Sequence, residues 1–167
     1  MLVSSSTNRK DVAVPESATS LPIIVRPMAE TDAVAIHDIH TACLRHTLRS
    51  HYSSEQLEAW LAGRTPAGYL RGAENGEVYL VAELGGAVVG YANWQDQELL
   101  SLFVSPDFQN MGIGTLLLEA CAATSEIRRV KATLSAVEFY RRFGFQKVRR
   151  DAMEKRGVLI PHILMAR

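Results

Sequence analysis

The chain has 167 residues, of which 47% are hydrophobic, and its 18 basic residues balance 18 acidic residues. This length suits one domain with one core, because domains commonly run to about 100–200 residues. A neutral total argues against nucleic-acid binding, for which a basic excess is expected. No stretch approaches the roughly 18 consecutive apolar residues of a membrane span, so neither a nucleic acid nor a membrane is an expected partner.

The N-terminal residues 1–21 are rich in Ser, Thr, Asn and Val and lack the apolar core of a secretory signal. We therefore predict a flexible extension at 1–21, followed by a single domain at 22–167. Cys43 and Cys121 lie in apolar, helix-like stretches without metal-ligand spacing. Two thiols without a disulfide framework predict a reduced, cytoplasmic protein.

The first half predicts one strand, two helices and a hairpin. A β-prone run at 23–27 ends in proline, and Thr31 or Asp32 can cap the next helix. Ser53 and Gln56 form the capping box of a second helix. The segment 63–76, with Pro66 and four glycines, is predicted to be mostly loop. Two strands then follow at 78–84 and 87–94, joined by a Gly-Gly pair that is typical of a hairpin.

The second half alternates strands and helices. A nearly continuous apolar strand at 98–104 is expected to be covered on both faces. It is followed by a long helix at 111–124, a strand at 128–134, a short helix at 136–143 and strands at 145–150 and 158–165. The resulting order, β-α-α-β-β-β-α-β-α-β-β, predicts an α/β (α+β) fold with a mixed sheet and helices on both faces.

Charge is distributed unevenly along the chain. Residues 72–127 contain acids but no Lys or Arg, whereas 128–150 are basic with Glu138 as the single acid. The simpler interpretation is two solvated faces on adjoining elements. The functional interpretation is an acidic side that receives an acceptor and a basic side that receives a cofactor.

The strand 98–104 runs through a short turn into a helix start that carries Gly112 and Gly114. A first helical turn presents unpaired N–H groups and the positive end of the helix dipole, which suits a pyrophosphate. Glycines there remove Cβ atoms that would block phosphate approach. Gly-x-Gly alone is a weak signal, and Leu117 stands where a dinucleotide fingerprint needs its third glycine.

Two longer motifs raise the signal. The run 104–114, Val-Ser-Pro-Asp-Phe-Gln-Asn-Met-Gly-Ile-Gly, resembles the acetyl-CoA signature of the GNAT superfamily of N-acetyltransferases. The run from Ala136 to Tyr140, with Gly144-Phe145 after it, resembles the second signature of that superfamily. The resemblance covers 23–167. It implies a GNAT-like acyl-CoA N-acyltransferase fold and transfer of an acetyl group from acetyl-CoA to a primary amine.

The resemblance also implies a cofactor site without a metal. Backbone groups of Leu102, Phe103 and Val104 would pair with the pantetheine arm of acetyl-CoA in a slot between the strands 98–104 and 128–134. Ser135 stands where many members carry Asn. The implied pyrophosphate-binding residues are Gln109, Asn110, Met111, Gly112, Ile113, Gly114 and Thr115. Because Asn110 and Met111 replace the Arg or Lys of many members, backbone dipoles and the basic stretch would have to meet the phosphate charge.

The same resemblance places a tyrosine beside the thioester sulfur, which makes Tyr140 the predicted general acid for the leaving thiolate. A phenol keeps its proton at neutral pH. Glu98 matches the position of a general-base glutamate in some members, and it would act through water. The alternative readings are a packed core tyrosine and an exposed strand-end acid.

Several further features are weaker. His37 and His40 lie one turn apart but lack a third metal ligand. The acceptor pocket can be lined by His51, Tyr52, Trp60, Tyr69 and Trp94, although Trp60 reads more simply as core.

The leading hypothesis is an enzyme that acetylates a small cationic amine, as the acidic stretch 72–127 favours. The alternatives are a non-catalytic acyl-CoA-binding or sensing module and an enzyme that acts on protein or peptide amines. A homodimer is left open.

Overall fold

A computed structural model describes residues 21–167, so the predicted extension lies outside the described residues except for Leu21. The strands are β1 (Ile23–Pro27), β2 (Val78–Leu84), β3 (Ala87–Gln95), β4 (Glu98–Val104), β5 (Arg129–Ala132), β6 (Gln146–Lys155) and β7 (Val158–Ala166). The helices are α1 (Ala33–Ala42), α2 (Ser54–Leu61), α3 (Pro66–Glu74), α4 (Ile113–Thr124) and α5 (Val137–Arg141).

The seven strands form one mixed sheet in the order β1-β2-β3-β4-β5-β7-β6. The pairs are antiparallel except for β4 and β5, which are parallel because α4 crosses between them. The predicted α/β fold with a mixed sheet is confirmed.

The parallel pairing of β4 with β5 is short. It joins Glu98 to Arg129 and Leu99 to Val130 and then ends. β4 nevertheless continues to Val104 along β3. The predicted strand 128–134 is therefore shorter than expected, and the two strands separate beyond their first residues.

Helices cover both faces of the sheet. On one face, α4 buries Ile113, Leu117, Leu118 and Cys121 at helical spacing within the larger core cluster. On the other face lie α1, α2 and α3, with Ile36 and Ile39 of α1 packed beside strand residues such as Val81. The predicted capping box of α2 is present in both directions between Ser53 and Gln56.

The segment 63–76, predicted to be mostly loop, contains α3, and that prediction is wrong. Pro66 occupies the first helical turn, where its missing N–H costs nothing. Gly72 reflects close packing rather than a loop. A Cβ on Gly72 would come within 2.7 Å of Glu77 Oε2 and 2.8 Å of the Tyr79 hydroxyl. Tyr69 then anchors the helix in the core beside α1.

The last hairpin is longer than predicted, since β6 runs to Lys155 rather than to residue 150. Its polar residues pair with β7 up to the turn at Arg156 and Gly157, both of which have positive φ. None of the helices in the described part of the chain is long and apolar enough to cross a membrane.

Tyr52 connects the segment just after β5 to β7 through hydrogen bonds. Removal of its hydroxyl tests this part of the fold. Its hydroxyl donates to the Pro161 carbonyl at 2.9 Å and accepts from the Leu134 N–H at 3.0 Å. We expect Tyr52→Phe to lower the free energy of unfolding by about 1–3 kcal/mol, because it leaves part-buried backbone groups unpaired. Urea denaturation measures the change. Tyr140→Phe is the matched control, and an equal loss in both variants would contradict the assignment.

Candidate active site

An open cleft of about 300 Å³ lies between β4, the turn after it, the start of α4 and α5. Every predicted cofactor-binding residue lines this cleft except Met111. Met111 is 53% exposed at the apex of the turn, between the positive-φ residues Asn110 and Gly112, and lies outside the cleft wall.

The turn into α4 depends on backbone conformations that few residues adopt. Gly112 is the N-cap of α4 with φ of 79°, a left-handed conformation that favours glycine. A Cβ on Gly114 would instead make ordinary contact, 3.5 Å from Leu102 and Phe139 in the cleft wall. The first amides of α4 therefore face the cleft from a helix start that side chains do not cap.

The side chain of Gln109 anchors the turn. Its Nε2 donates to the Val104 carbonyl at 3.0 Å and to the Thr47 hydroxyl at 2.9 Å. Thr47 belongs to a π-helical turn, Cys43–Thr47, that continues α1. Cys43 Sγ from the same turn donates to the Val104 carbonyl at 3.1 Å. A π-helical turn beside a ligand cleft is a common functional irregularity.

A smaller inner cavity, of about 140 Å³, lies on the face of the sheet that carries α1 and α2. It meets the cleft where β4 and β5 separate. Five residues line both spaces: Leu102, Phe103, Thr133, Ala136 and Tyr140. A third, outer cavity continues from the inner one past Trp60, Arg64, Ser101 and Lys155.

Tyr140 stands at the junction of cleft and inner cavity. Its ring packs edge-on against Phe139 and Phe145, and the residue is 5% exposed. Burial raises the pKa of its hydroxyl above the ordinary value of 10.0, and the nearby Cys121 adds to the rise. No hydrogen bond within residues 21–167 engages the hydroxyl, which leaves its proton available to a ligand.

Glu98 lies at the start of β4, beside the last paired residues of β4 and β5. Its carboxylate contacts Lys131 at 3.2 Å and Arg129 at 3.6 Å. Lys131 lines the inner cavity, whereas Glu98 itself does not. The structure thus connects Glu98 to the cavity through Lys131 rather than directly.

Two buried histidines face the inner cavity. Tyr69 and Tyr91 hydroxyls lie 3.1 and 2.8 Å from His40 Nδ1, and Nε2 of His40 has no partner in the described chain. His162 on β7 also has unpartnered ring nitrogens there. Burial lowers the pKa of His40 and of His162, so both rings are neutral at pH 7. Within residues 21–167, no cluster of three or more His, Cys, Asp or Glu residues could hold a metal.

The residues considered for the acceptor pocket separate into two groups. Trp60 lines the inner and outer cavities, and Tyr69 lines the outer one. His51 is exposed, Trp94 is buried in the core beside α4, and Tyr52 is the structural tie described above. His162 and Arg64 were missed, because nothing in the local sequence separates a cavity-facing residue from any other inward residue.

The acidic residues of the stretch 72–127 do not line the inner cavity. Glu83 pairs with Arg26, and Glu126 pairs with Arg128. The charged residues that line the inner cavity are Arg64, Lys131 and Lys155, with no Asp or Glu among the described lining residues. The charge around this cavity therefore does not support an acidic acceptor side.

The comparisons with known proteins agree with this architecture. Residues 48–166 match the family described as the acetyltransferase (GNAT) domain. The chain belongs to the GNAT acetyltransferase family, and its fold is the one found in that family.

Individual relatives show the extent of the likeness. The chain is 28% identical over 119 residues to YafP, an uncharacterized N-acetyltransferase of Escherichia coli strain K12, covering 71% of this chain and 78% of YafP. A GCN5-related N-acetyltransferase from Rhodopseudomonas palustris superposes with a TM-score of 0.80 at 26% identity, over 87% and 95% of the two chains. The PaiA N-acetyltransferase of Thermoplasma acidophilum, solved with coenzyme A, shares the fold with a TM-score of 0.71 at 18% identity, over 88% and 99%.

One cation of the basic stretch reaches the cleft and was not singled out from the sequence. Arg142 lines the cleft and lies over the Phe139 ring at 5.6 Å. We expect Arg142→Gln to weaken CoA binding about three- to tenfold, as loss of one solvent-exposed phosphate contact would. Calorimetry at two salt concentrations measures it. The control is Arg141→Gln, because Arg141 forms an ion pair with Glu138 at 2.6 Å outside the cleft. Equal loss of CoA affinity in the two variants would contradict a role of Arg142 in binding CoA.

Proposed function

We propose that this protein is an N-acetyltransferase that moves an acetyl group from acetyl-CoA to a primary amine by direct attack, with Tyr140 as the general acid. The observation that carries the proposal is that Tyr140 lines both the cleft and the inner cavity, with its hydroxyl unpartnered. A group in that position touches the two ligands of a direct transfer at once.

Acetyl-CoA would lie in the cleft. The pantetheine arm would pair with the open edge of β4 at Leu102, Phe103 and Val104, as an added strand does. The amides of the turn and of the first turn of α4 would bind the pyrophosphate, with Ser135 on the opposite wall. Arg142 would supply the cation that Asn110 and Met111 do not.

In the reaction, the neutral amine attacks the thioester carbon from the inner cavity. A C–N bond forms, and the backbone N–H of Val104 is the proposed donor to the oxyanion. The C–S bond then breaks, and the Tyr140 hydroxyl gives its proton to the departing thiolate. The proton lost by the amine leaves toward the base.

Glu98 is the proposed base, acting through water. In support, it lies next to the point where β4 and β5 separate, and its side chain is only 20% exposed. Its ion pair with Lys131 joins it to the wall of the inner cavity. The proton has to travel along water past Lys131, since the carboxylate itself stands outside the cavity.

One observation bears on location, and two alternative functions have distinct outcomes in assay. The buried, unpaired thiols of Cys43 and Cys121 fit the proposed cytoplasmic location. A non-catalytic acyl-CoA-binding module would show CoA binding in calorimetry with no transfer to any amine, peptide or antibiotic. Transfer to peptides but not to small amines would identify the enzyme as one that acts on protein amines.

Replacement of the proposed acid is the main test. We expect Tyr140→Phe to lower kcat about 100- to 10,000-fold, as loss of a general acid does, while the KM for acetyl-CoA changes little. Because burial raises the pKa of Tyr140, the wild-type rate should show no loss from its deprotonation up to pH 10. A thiol-release assay measures both. Unchanged turnover in a folded variant would remove Tyr140 from the mechanism.

The proposed base has its own signature. We expect Glu98→Gln to reduce kcat about 100-fold near neutral pH, with partial recovery as pH rises and the free amine becomes abundant. The pH profile separates this from loss of the ion pair to Lys131, which would lower the rate equally at all pH values. The matched control is Glu126→Gln, an acid paired with Arg128 away from both cavities.

A further inference from the structure

The inner and outer cavities share a basic wall. Arg64, just after α2, and Lys155, at the end of β6, line both spaces. Lys131 adds a third positive charge deeper in, but Glu98 neutralises it at 3.2 Å. The charge that remains for a ligand is therefore that of Arg64 and Lys155.

Arg64 is half-buried, and its Nε donates to the Trp60 carbonyl at 3.1 Å. That bond uses one of the five N–H donors of the guanidinium, and the residue lines both cavities. Its charge opposes the burial-driven rise in the pKa of Tyr69 and Tyr91, so the guanidinium lies near both hydroxyls. Neither Arg64 nor Lys155 forms an ion pair with a carboxylate among residues 21–167.

A partly desolvated guanidinium is best stabilised by an anion, whereas Trp60 and Tyr69 offer Arg64 only neutral hydrogen-bond partners. Its planar fork of donors matches a carboxylate or a phosphate. A second observation also points to a ligand here. His40 Nε2 and the ring nitrogens of His162 are buried against the inner cavity without partners, and a polar molecule in that space would satisfy them.

We propose that the acceptor is an amine that also carries an anionic group, which Arg64 and Lys155 bind while the amine points toward Tyr140. This inference rests on the proposed function. It assigns the acceptor class and replaces the small cationic acceptor expected from the sequence, because a second ammonium group would face two cations. Like-charge juxtaposition in a desolvated site costs several kcal/mol.

Glu77 is the one described acid that lines the outer cavity. Its carboxylate Oε2 accepts from the Tyr79 hydroxyl and, at 2.7 Å, from Asn93 Nδ2. These two bonds hold Oε2 of Glu77 against Tyr79 and Asn93. Because a cationic acceptor would have to bind to Glu77, replacing this residue tests the opposite assignment.

The test compares matched amines in the thiol-release assay with acetyl-CoA: butylamine, γ-aminobutyrate, phosphoethanolamine and putrescine. We expect kcat/KM about tenfold or more higher for the carboxylate- or phosphate-bearing amine than for butylamine, with putrescine poorest. The two anionic amines distinguish a carboxylate from a phosphate. Equal or faster turnover of putrescine, lost in Glu77→Gln, would overturn the proposal.

Variants locate the anion site. Arg64→Met and Lys155→Met should each remove most of the preference by raising the KM for the anionic amines, while the KM for butylamine, which carries no anionic group, changes little. Lys155 is exposed, so its replacement does not threaten folding. Arg128→Met, distant from all three spaces, is the control. A preference that survives both changes would overturn the assignment.

Failure of the proposed function is distinguishable from failure of this inference. If no amine is acetylated, the same amines are titrated into the CoA-bound protein by calorimetry. Tighter binding of γ-aminobutyrate or phosphoethanolamine than of butylamine, lost in Arg64→Met, would support the anion site although transfer had failed. Equal binding of all four amines would refute the anion site itself.

Discussion

The early end of the pairing between β4 and β5 is the constraint on which the rest of the site depends. Two residue pairs join the strands, and beyond Leu99 β4 is paired on one edge only. Backbone N–H and C=O groups inside a protein nearly always have partners. An open strand edge beside a cleft therefore suits a ligand with amide groups of its own, which the pantetheine arm of CoA has. The same separation lets the cleft on one face meet the cavity on the other.

Burial gives Tyr140 both properties that its proposed role needs. The aromatic packing with Phe139 and Phe145 fixes the ring, and the hydroxyl has no hydrogen-bond partner among residues 21–167. Desolvation disfavours the phenolate, so the hydroxyl keeps its proton at neutral pH. The same desolvation disfavours a free thiolate in this site, so the proton would have to move to the sulfur as the C–S bond breaks.

The elements and the cleft could be predicted from the sequence because their signals are local. The run of apolar residues in β4, the glycine at the start of α4 and the Ser53–Gln56 capping box each act within a few residues. α3 departs from the predicted loop because Gly72 makes room for Glu77 and Tyr79 inside a helix. That contact joins α3 to the residues at the start of β2, so a pattern within α3 alone does not predict it. The same holds for Arg64, just after α2, and for His162 on β7, which both line the inner cavity.

The balance of 18 basic and 18 acidic residues does not show how charge is distributed around the cavities. Acids such as Glu83 and Glu126 are held in ion pairs elsewhere on the surface. Arg64 and Lys155 line the inner and outer cavities without an ion-pair partner among residues 21–167. Cations that bind an anionic group at one end of an acceptor also act on its amine at the other end. They destabilise the ammonium form relative to the free amine, so the wall that selects the acceptor would also help to make it a nucleophile.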